Sequence, residues 1–216
     1  MDTSNTVTNI QEVVGIVDRS GSMAGKVSDT IGGLNSAIQV LKDENDESAD
    51  VRVSIKLFDH EEFLLFRSIP LKDVRPLEER QFMPRGQTAL LDAMGSTLQF
   101  FMEKKLGNPN AYDSCVIYVA TDGYENASKF YNADKISKMI SNAEANYNIK
   151  VLYLGANQDA IMEASKFGIG ANHAINYSET PENVNAVYRS AAAVVRRART
   201  GEDTSFTPAE RQASHT

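Results

Sequence analysis

The chain has 216 residues, of which 42% are hydrophobic, so it is long enough to form one well-buried domain. Its 22 lysines and arginines are outnumbered by 29 aspartates and glutamates, which leaves a formal net charge of −7. An acidic balance of this kind argues against general nucleic-acid binding through a basic surface.

The amino-terminal residues are mostly polar and lack the basic start and apolar stretch of a secretion signal. No apolar run reaches the roughly 18 residues that a membrane-spanning helix needs. We therefore expect a soluble, cytoplasmic protein with no membrane partner. Composition predicts three parts: a polar segment over residues 1–9, one domain over residues 10–200, and a flexible tail over residues 201–216, which is poor in apolar side chains.

The first half of the chain begins with a strand and a helix and continues into a hairpin. Residues 13–17 are apolar on both faces, which predicts a central parallel strand. A helix follows, with apolar side chains at helical spacing between Val27 and Leu41. Residues 51–57 alternate apolar and polar side chains, which predicts a strand near the edge of the sheet, paired in a short hairpin with residues 63–66.

The second half repeats a strand-then-helix pattern. A long connection ends where Thr88 opens a helix, and a buried strand over residues 115–120 follows. This strand holds the single cysteine, which we interpret as a buried structural thiol. Further strands are predicted over residues 151–154 and near residues 173–177, and Thr180 is predicted to cap the helix after the latter.

The alternation of strands and helices predicts an α/β fold. We expect a doubly wound, mostly parallel central sheet flanked by helices, as in Rossmann-like proteins, with one short antiparallel edge strand. In such a sheet, the loops after the parallel strands meet at one edge.

The loop after the first strand raises the question of phosphate or metal binding. Residues 15–29 read GIVDRSGSMAGKVSD, which nearly spells a phosphate-binding P-loop. That pattern needs a glycine where Ser20 stands and a hydroxyl where Val27 stands, so it fails at two of four defining positions. The remaining feature is Asp18, Ser20 and Ser22 at alternate positions of a tight turn, which suits a hard cation.

Two other segments bring oxygen ligands to the same edge of the predicted sheet. Thr88 precedes the second long helix, and Asp122 follows the central strand. Together with Asp18, Ser20 and Ser22, they supply two carboxylates and three hydroxyls and no histidine or cysteine. This set favours Mg²⁺ or Mn²⁺. Helix capping alone would explain the first loop, but not the coincidence of three separate segments.

Other candidate ligands have simpler interpretations. Asn157 and Asp159 also follow a strand, and we interpret them as caps of the helix near residue 158 rather than as part of the site. The three histidines lie in a hairpin turn, at a strand start and in the tail, with no spacing that suggests a metal or a catalytic pair.

The motifs DRSGS, TDG and the threonine in GQTALLDA resemble the metal-ion-dependent adhesion site of the von Willebrand factor A domain family. The resemblance covers about residues 10–200, and ATDGYENAS and LGANQDAI further resemble stand-alone A domains of bacteria and their viruses. It implies a doubly wound sheet in which Ser20, Ser22 and often Thr88 touch the ion. Asp18 and Asp122 are implied to act directly or through water.

Such a site suits partner binding. Mg²⁺ prefers six ligands, and a site with two carboxylates keeps a coordination position for water or for a partner's Asp or Glu. The sequence thus predicts a metal-dependent protein-binding module that captures an acidic residue of a partner protein. Two alternatives stay open: a structural assembly subunit stabilised by the ion, and a less favoured Mg²⁺-dependent hydrolase. No general base is evident, so no catalytic residue is predicted.

Overall fold

The computed structural model describes residues 9–45, 49–156 and 159–215. Strands and helices alternate along most of this part of the chain. Their bounds are β1 (Asn9–Asp18), α1 (Val27–Asp43), β2 (Ala49–Phe58), β3 (Glu62–Pro70), α2 (Leu90–Gly107), β4 (Ser114–Thr121), α3 (Ala133–Tyr147), β5 (Ile149–Ala156), α4 (Ala160–Lys166), β6 (Ala174–Tyr177), α5 (Pro181–Thr200) and α6 (Pro208–Ala213).

The strands form one sheet in the order β3-β2-β1-β4-β5-β6. β3 pairs antiparallel with β2 at one edge, and all other neighbours are parallel. The predicted α/β fold with one antiparallel edge strand is therefore confirmed. β3 is longer than the predicted residues 63–66. It continues past a bulge, where the hydroxyl of Ser54 accepts a 2.8 Å hydrogen bond from the backbone N–H of Ser68.

Helices cover both faces of the sheet. Apolar residues of α1 and α5 pack on one face, and those of α2, α3 and α4 pack on the other. Burial on both faces explains why residues 13–17 of β1 and residues 115–120 of β4 are continuous apolar runs. Cys115 is buried in β4, as expected. None of the described helices is both long and apolar enough to span a membrane.

The α1–α5 contact depends on a glycine. A β-carbon on Gly33 would lie 2.5 Å from the ring of Tyr188, whereas one on Gly32 would have nothing within 4 Å. We therefore expect Gly33→Ala to lower the free energy of unfolding by about 1–3 kcal/mol, since the buried ring must move. The matched control Gly32→Ala should raise it by about 0.5–1 kcal/mol through helix propensity. Urea unfolding of both variants tests the pair, and equal effects would contradict this packing.

Two helices begin at the caps that the sequence predicts. Thr180 caps α5, and the carboxylate of Asp159 accepts a 3.0 Å hydrogen bond from the backbone N–H of Met162 in α4. Asn157, residues 1–8 of the predicted polar segment and Thr216 lie outside the described residues. α2 begins at Leu90, two residues after Thr88.

The segment over residues 201–216, predicted to be a flexible tail, instead packs back on the domain as far as it is described. Phe206 is buried, and a capping box between Thr207 and Glu210 starts α6. The guanidinium of Arg211 then donates to two backbone carbonyls, both at 2.7 Å, at and just before the start of β6. These contacts outweigh the low apolar content on which the prediction depended.

Candidate metal centre

The loops after β1 and β4 meet where the sheet changes its winding direction. β1 and β4 are neighbours at the centre of the sheet, and the chain builds outwards from them to opposite edges. Asp18 ends β1, and its carboxylate accepts a 2.6 Å hydrogen bond from the hydroxyl of Thr121, which ends β4. Ligands of open α/β sheets bind at such a switch point, beyond the carboxyl ends of the strands.

Hydroxyl groups connect Asp18 to Asp122 through the first loop. The backbone N–H of Ser20 donates to Asp18 at 2.7 Å, and the hydroxyl oxygens of Ser20 and Ser22 lie 3.2 Å apart. The hydroxyl of Ser22 then donates to Oδ1 of Asp122 at 2.7 Å. Four of the five predicted ligands thus belong to one hydrogen-bonded cluster.

Thr88 reaches the same cluster from the loop before α2. A β-carbon on Gly123 would lie 3.5 Å from the hydroxyl oxygen of Thr88 and 3.9 Å from oxygens of both Asp18 and Ser22. The structure therefore brings all five predicted residues together. Asp18, Ser20 and Thr88 are buried, whereas Ser22 is exposed, so the cluster opens to solvent on the Ser22 side.

Backbone clamps hold the three loops to one another. The backbone N–H of Thr88 donates to the side-chain oxygen of Asn126 at 2.9 Å, and the N–H of Asn126 donates back to the carbonyl of Thr88 at 3.1 Å. On the other side, the N–H of Gly21 donates to the carbonyl of Gly86 at 3.2 Å. Sequence reasoning gave Asn126 no role in this site, although it lies shortly after the TDG motif.

The loop between β4 and α3 is also tied to the first turn of α2. The carboxylate of Asp92 accepts hydrogen bonds of 2.8–3.0 Å from the backbone N–H groups of three consecutive residues, 129–131. Glu125 accepts a 3.0 Å hydrogen bond from the N–H of Leu91. These bonds fix the position of the loop that carries Asp122 relative to the loop that carries Thr88.

Known structures share this arrangement of strands and helices. The chain matches a von Willebrand factor type A protein from Catenulispora acidiphila with a TM-score of 0.61 and 16% identity over 87% of this chain and 43% of that one. It matches the vWF domain of the type V pili tip protein Mfa5 from Porphyromonas gingivalis with a TM-score of 0.65 and 12% identity, over 88% and 96%. It matches the pilus adhesin SpaC from Lactobacillus rhamnosus GG with a TM-score of 0.65 and 11% identity, over 87% of this chain and 30% of that one.

The chain has the von Willebrand factor A fold. At these identities the likeness establishes the A fold and not what the chain binds. The chain spans less than half of the length of the first solved structures that it matches. No protein-family model and no curated protein matches its sequence.

A cationic side chain of the protein already contacts this cluster of candidate ligands. The ammonium group of Lys26 pairs with the carboxylates of both Asp122 and Glu179, and the Lys26 side chain is 27% exposed. Burial lowers the pKa of Lys26, but the hydrogen bonds and charges of its two partners outweigh this and raise it above its ordinary value. The sequence analysis considered Lys26 only as the lysine of the rejected P-loop pattern. It did not identify Glu179, which lies just before α5.

The charges of the cluster suit a divalent cation. Burial raises the pKa of Asp18 despite hydrogen bonds from Thr121 and Ser20 that lower it, and the charge of Asp122 raises it further. When ionised, the carboxylates of Asp18, Asp122 and Glu179 and the ammonium group of Lys26 together carry a net charge of −2. A single divalent cation would neutralise them, so the side chains present fit Mg²⁺ or Mn²⁺.

The Lys26 charge is expected to weaken cation binding. We expect Lys26→Gln to raise the affinity for Mn²⁺ about tenfold, since it removes a positive charge from a carboxylate of the cluster, where a unit charge contributes on the order of 1 kcal/mol or more. Calorimetric titration measures the change. Lys138→Gln, which removes an exposed lysine on α3, is the control and should leave the affinity unchanged. Equal or lower affinity in Lys26→Gln would show that Lys26 does not compete with the ion.

A second acidic group lies close to this five-residue cluster, but arginines already neutralise its carboxylates. Ligand atoms of Asp59, His60 and Glu61 lie within 4.8 Å of one another. The guanidinium groups of Arg19 and Arg85 lie 2.9 and 3.0 Å from Asp59, and Arg85 also pairs with Glu61. A cation would have to displace these arginines. The five-residue cluster is therefore the better candidate for metal binding.

Proposed function

We propose that the chain is a metal-dependent protein-binding module. In this proposal Asp18, Ser20, Ser22, Thr88 and Asp122 hold one Mg²⁺ or Mn²⁺, and a partner protein supplies an aspartate or glutamate. The observation that carries the proposal is the convergence of two carboxylates and three hydroxyls from three loops at the switch point of the sheet.

The chemistry of the cluster favours an acidic ligand. Three of the five side chains are neutral hydroxyls, which reduce the positive charge of a bound cation less than carboxylates would. Mg²⁺ prefers six oxygen ligands, and the exposed position of Ser22 leaves a route from solvent to the ion. A partner's carboxylate is a hard anionic oxygen ligand and suits that position.

The structural neighbours also support a role in protein contact. Two of them are a pilus tip protein and a pilus adhesin. We extend only the general idea of protein interaction to this chain. Its cytoplasmic location and its likeness to stand-alone A domains of bacteria and their viruses stay predictions from the sequence.

Reversible capture tests the proposed function. The immobilised chain is incubated with extract from its native source in Mg²⁺, washed, and then treated with a chelator. We expect specific proteins to elute with the chelator and to bind again when Mg²⁺ is restored. Carbodiimide coupling of the eluted proteins to an amine, which converts their carboxylates to amides, should abolish the second binding step.

Two results would count against the proposal. Capture that survives the chelator would show that the ion is not part of the contact, as expected for a structural subunit whose ion only stiffens the loops. Capture that survives amidation would show that the partner's carboxylates are not recognised. Asp18→Ala serves as the matched control surface, because it removes a proposed ligand and leaves the remaining surface intact.

A further inference from the structure

A cavity of about 360 Å³ lies between the β2–β3 hairpin and α2. None of the five residues of the candidate metal centre lines it. Its apolar part is formed by Val14, Leu64, Phe100 and Phe101. The volume is near the lower end of the range of roughly 300–1,000 Å³ that is typical of small-molecule sites.

A half-buried lysine lies on the polar side of this cavity. Nζ of Lys56 donates to Glu62 at 2.6 Å and to the hydroxyl of Ser96 at 2.8 Å, and the lysine side chain is 13% exposed. An ammonium group has three N–H donors, so two are used and the third has no acceptor among the described residues. Burial lowers the pKa of Lys56, and the nearby charge of Arg67 lowers it further, while Glu62 raises it.

A second cation at the cavity lacks a carboxylate partner. The guanidinium of Arg67 lies over the ring of Phe100, 5.4 Å from its centroid. No described carboxylate forms an ion pair with Arg67, while Glu62 compensates Lys56. Lys56, Glu62 and Arg67 therefore leave one positive charge beside an apolar pocket.

We propose that this cavity binds a small organic monoanion, an aryl- or alkyl-carboxylate. Its carboxylate would accept hydrogen bonds from Arg67 and from the third N–H of Lys56, and its apolar body would pack against Phe100 and Phe101. A guanidinium binds a carboxylate through two parallel hydrogen bonds, which makes Arg67 the main anchor. A cationic ligand is disfavoured because two cations face one carboxylate.

The test uses 3-phenylpropionate, with its neutral amide 3-phenylpropanamide as the matched ligand. Both are titrated into metal-free Asp18→Ala protein in chelator, so that the carboxylate cannot bind through an ion at the other site. We expect 3-phenylpropionate to bind with a Kd of about 1 mM, as suits a ligand of this size, and the amide to bind at least tenfold more weakly. Ligand-observed NMR measures both.

Two exposed arginines give a matched pair of variants. Arg67→Gln should weaken 3-phenylpropionate binding about tenfold, whereas Arg75→Gln, at an exposed arginine that does not line this cavity, should leave it unchanged. Failure of 3-phenylpropionate to bind at millimolar concentration would overturn the proposal. Equal binding of acid and amide, or unchanged binding in Arg67→Gln, would also overturn it. None of these results affects the proposed metal-dependent function, since the measurement is made without metal.

Discussion

Replacing Asp18 with alanine is expected to abolish divalent-cation binding, with a loss of at least about 100-fold in affinity for Mg²⁺ and Mn²⁺. Loss of a residue that only supports a ligand already costs about 10–100-fold. Asp18 is fully buried at the end of β1 and lies at the centre of the cluster, between the loops after β1 and β4. Calorimetric titration into metal-free protein should show one site in the wild type and none in the variant.

The fold should survive this change. Asp18→Ala leaves the backbone N–H of Ser20 and the hydroxyl of Thr121 without one acceptor, which costs on the order of 1–3 kcal/mol. Removal of a buried, unneutralised carboxylate offsets part of this cost. Circular dichroism should therefore show native secondary structure. Glu61→Gln, in the neighbouring acidic group, is the control and should bind the cation normally. An unchanged isotherm in Asp18→Ala would refute the assignment of Asp18 as a ligand.

Thr88→Ala is expected to weaken partner binding by about tenfold or more while it weakens metal binding only a few-fold. A neutral hydroxyl in contact with the ion leaves more positive charge for an incoming carboxylate than a carboxylate ligand would. Loss of the hydroxyl favours closer contact of the ion with Asp122, which lowers its attraction for an anion. Asp18→Ala, by contrast, should lose metal and partner together.

The matched control for this prediction is Thr88→Ser, which keeps the hydroxyl and should keep partner affinity. The backbone clamp between Thr88 and Asn126 uses only main-chain atoms of residue 88, so both variants should retain the loop conformation. Surface binding of the captured partner at saturating Mg²⁺ measures the effect. Full partner affinity in Thr88→Ala would show that recognition does not depend on the ion's charge.

The five candidate ligands could be predicted from the sequence because each lies next to a local signal. Asp18 and Asp122 follow strands whose apolar runs are readable in the sequence, and parallel strands end at the same edge. The threonine at position 88 precedes a helix with clear periodicity. Local patterns therefore indicated which loops meet, and the structure adds their contacts.

The remaining parts of the site depend on contacts between distant residues. Lys26 and Asp122 are 96 residues apart, and no local pattern marks a lysine at the start of α1 as the partner of that aspartate. The clamp of Asn126 on Thr88 spans 38 residues. The cavity beside Lys56 likewise depends on how the hairpin packs against α2. Such contacts follow from tertiary packing and not from periodicity.

The helix in the carboxyl-terminal segment is a different case, because its signal was present in the sequence. Thr207, Pro208 and Glu210 match a capping box with proline in the first turn, which is a local helix-start pattern. The low apolar content of the segment predicted flexibility instead. The buried ring of Phe206, the hydrogen bonds of Arg211 and the ion pair between Arg197 and Glu210 hold this short helix on the domain.

The central claim is that one divalent cation binds at the switch point of the sheet, and anomalous diffraction from a crystal soaked in Mn²⁺ tests it most directly. We predict one strong anomalous peak among Ser20, Ser22, Thr88 and the carboxylates of Asp18 and Asp122. A peak at Asp59, His60 and Glu61, or no ordered peak at saturating Mn²⁺, would contradict the claim.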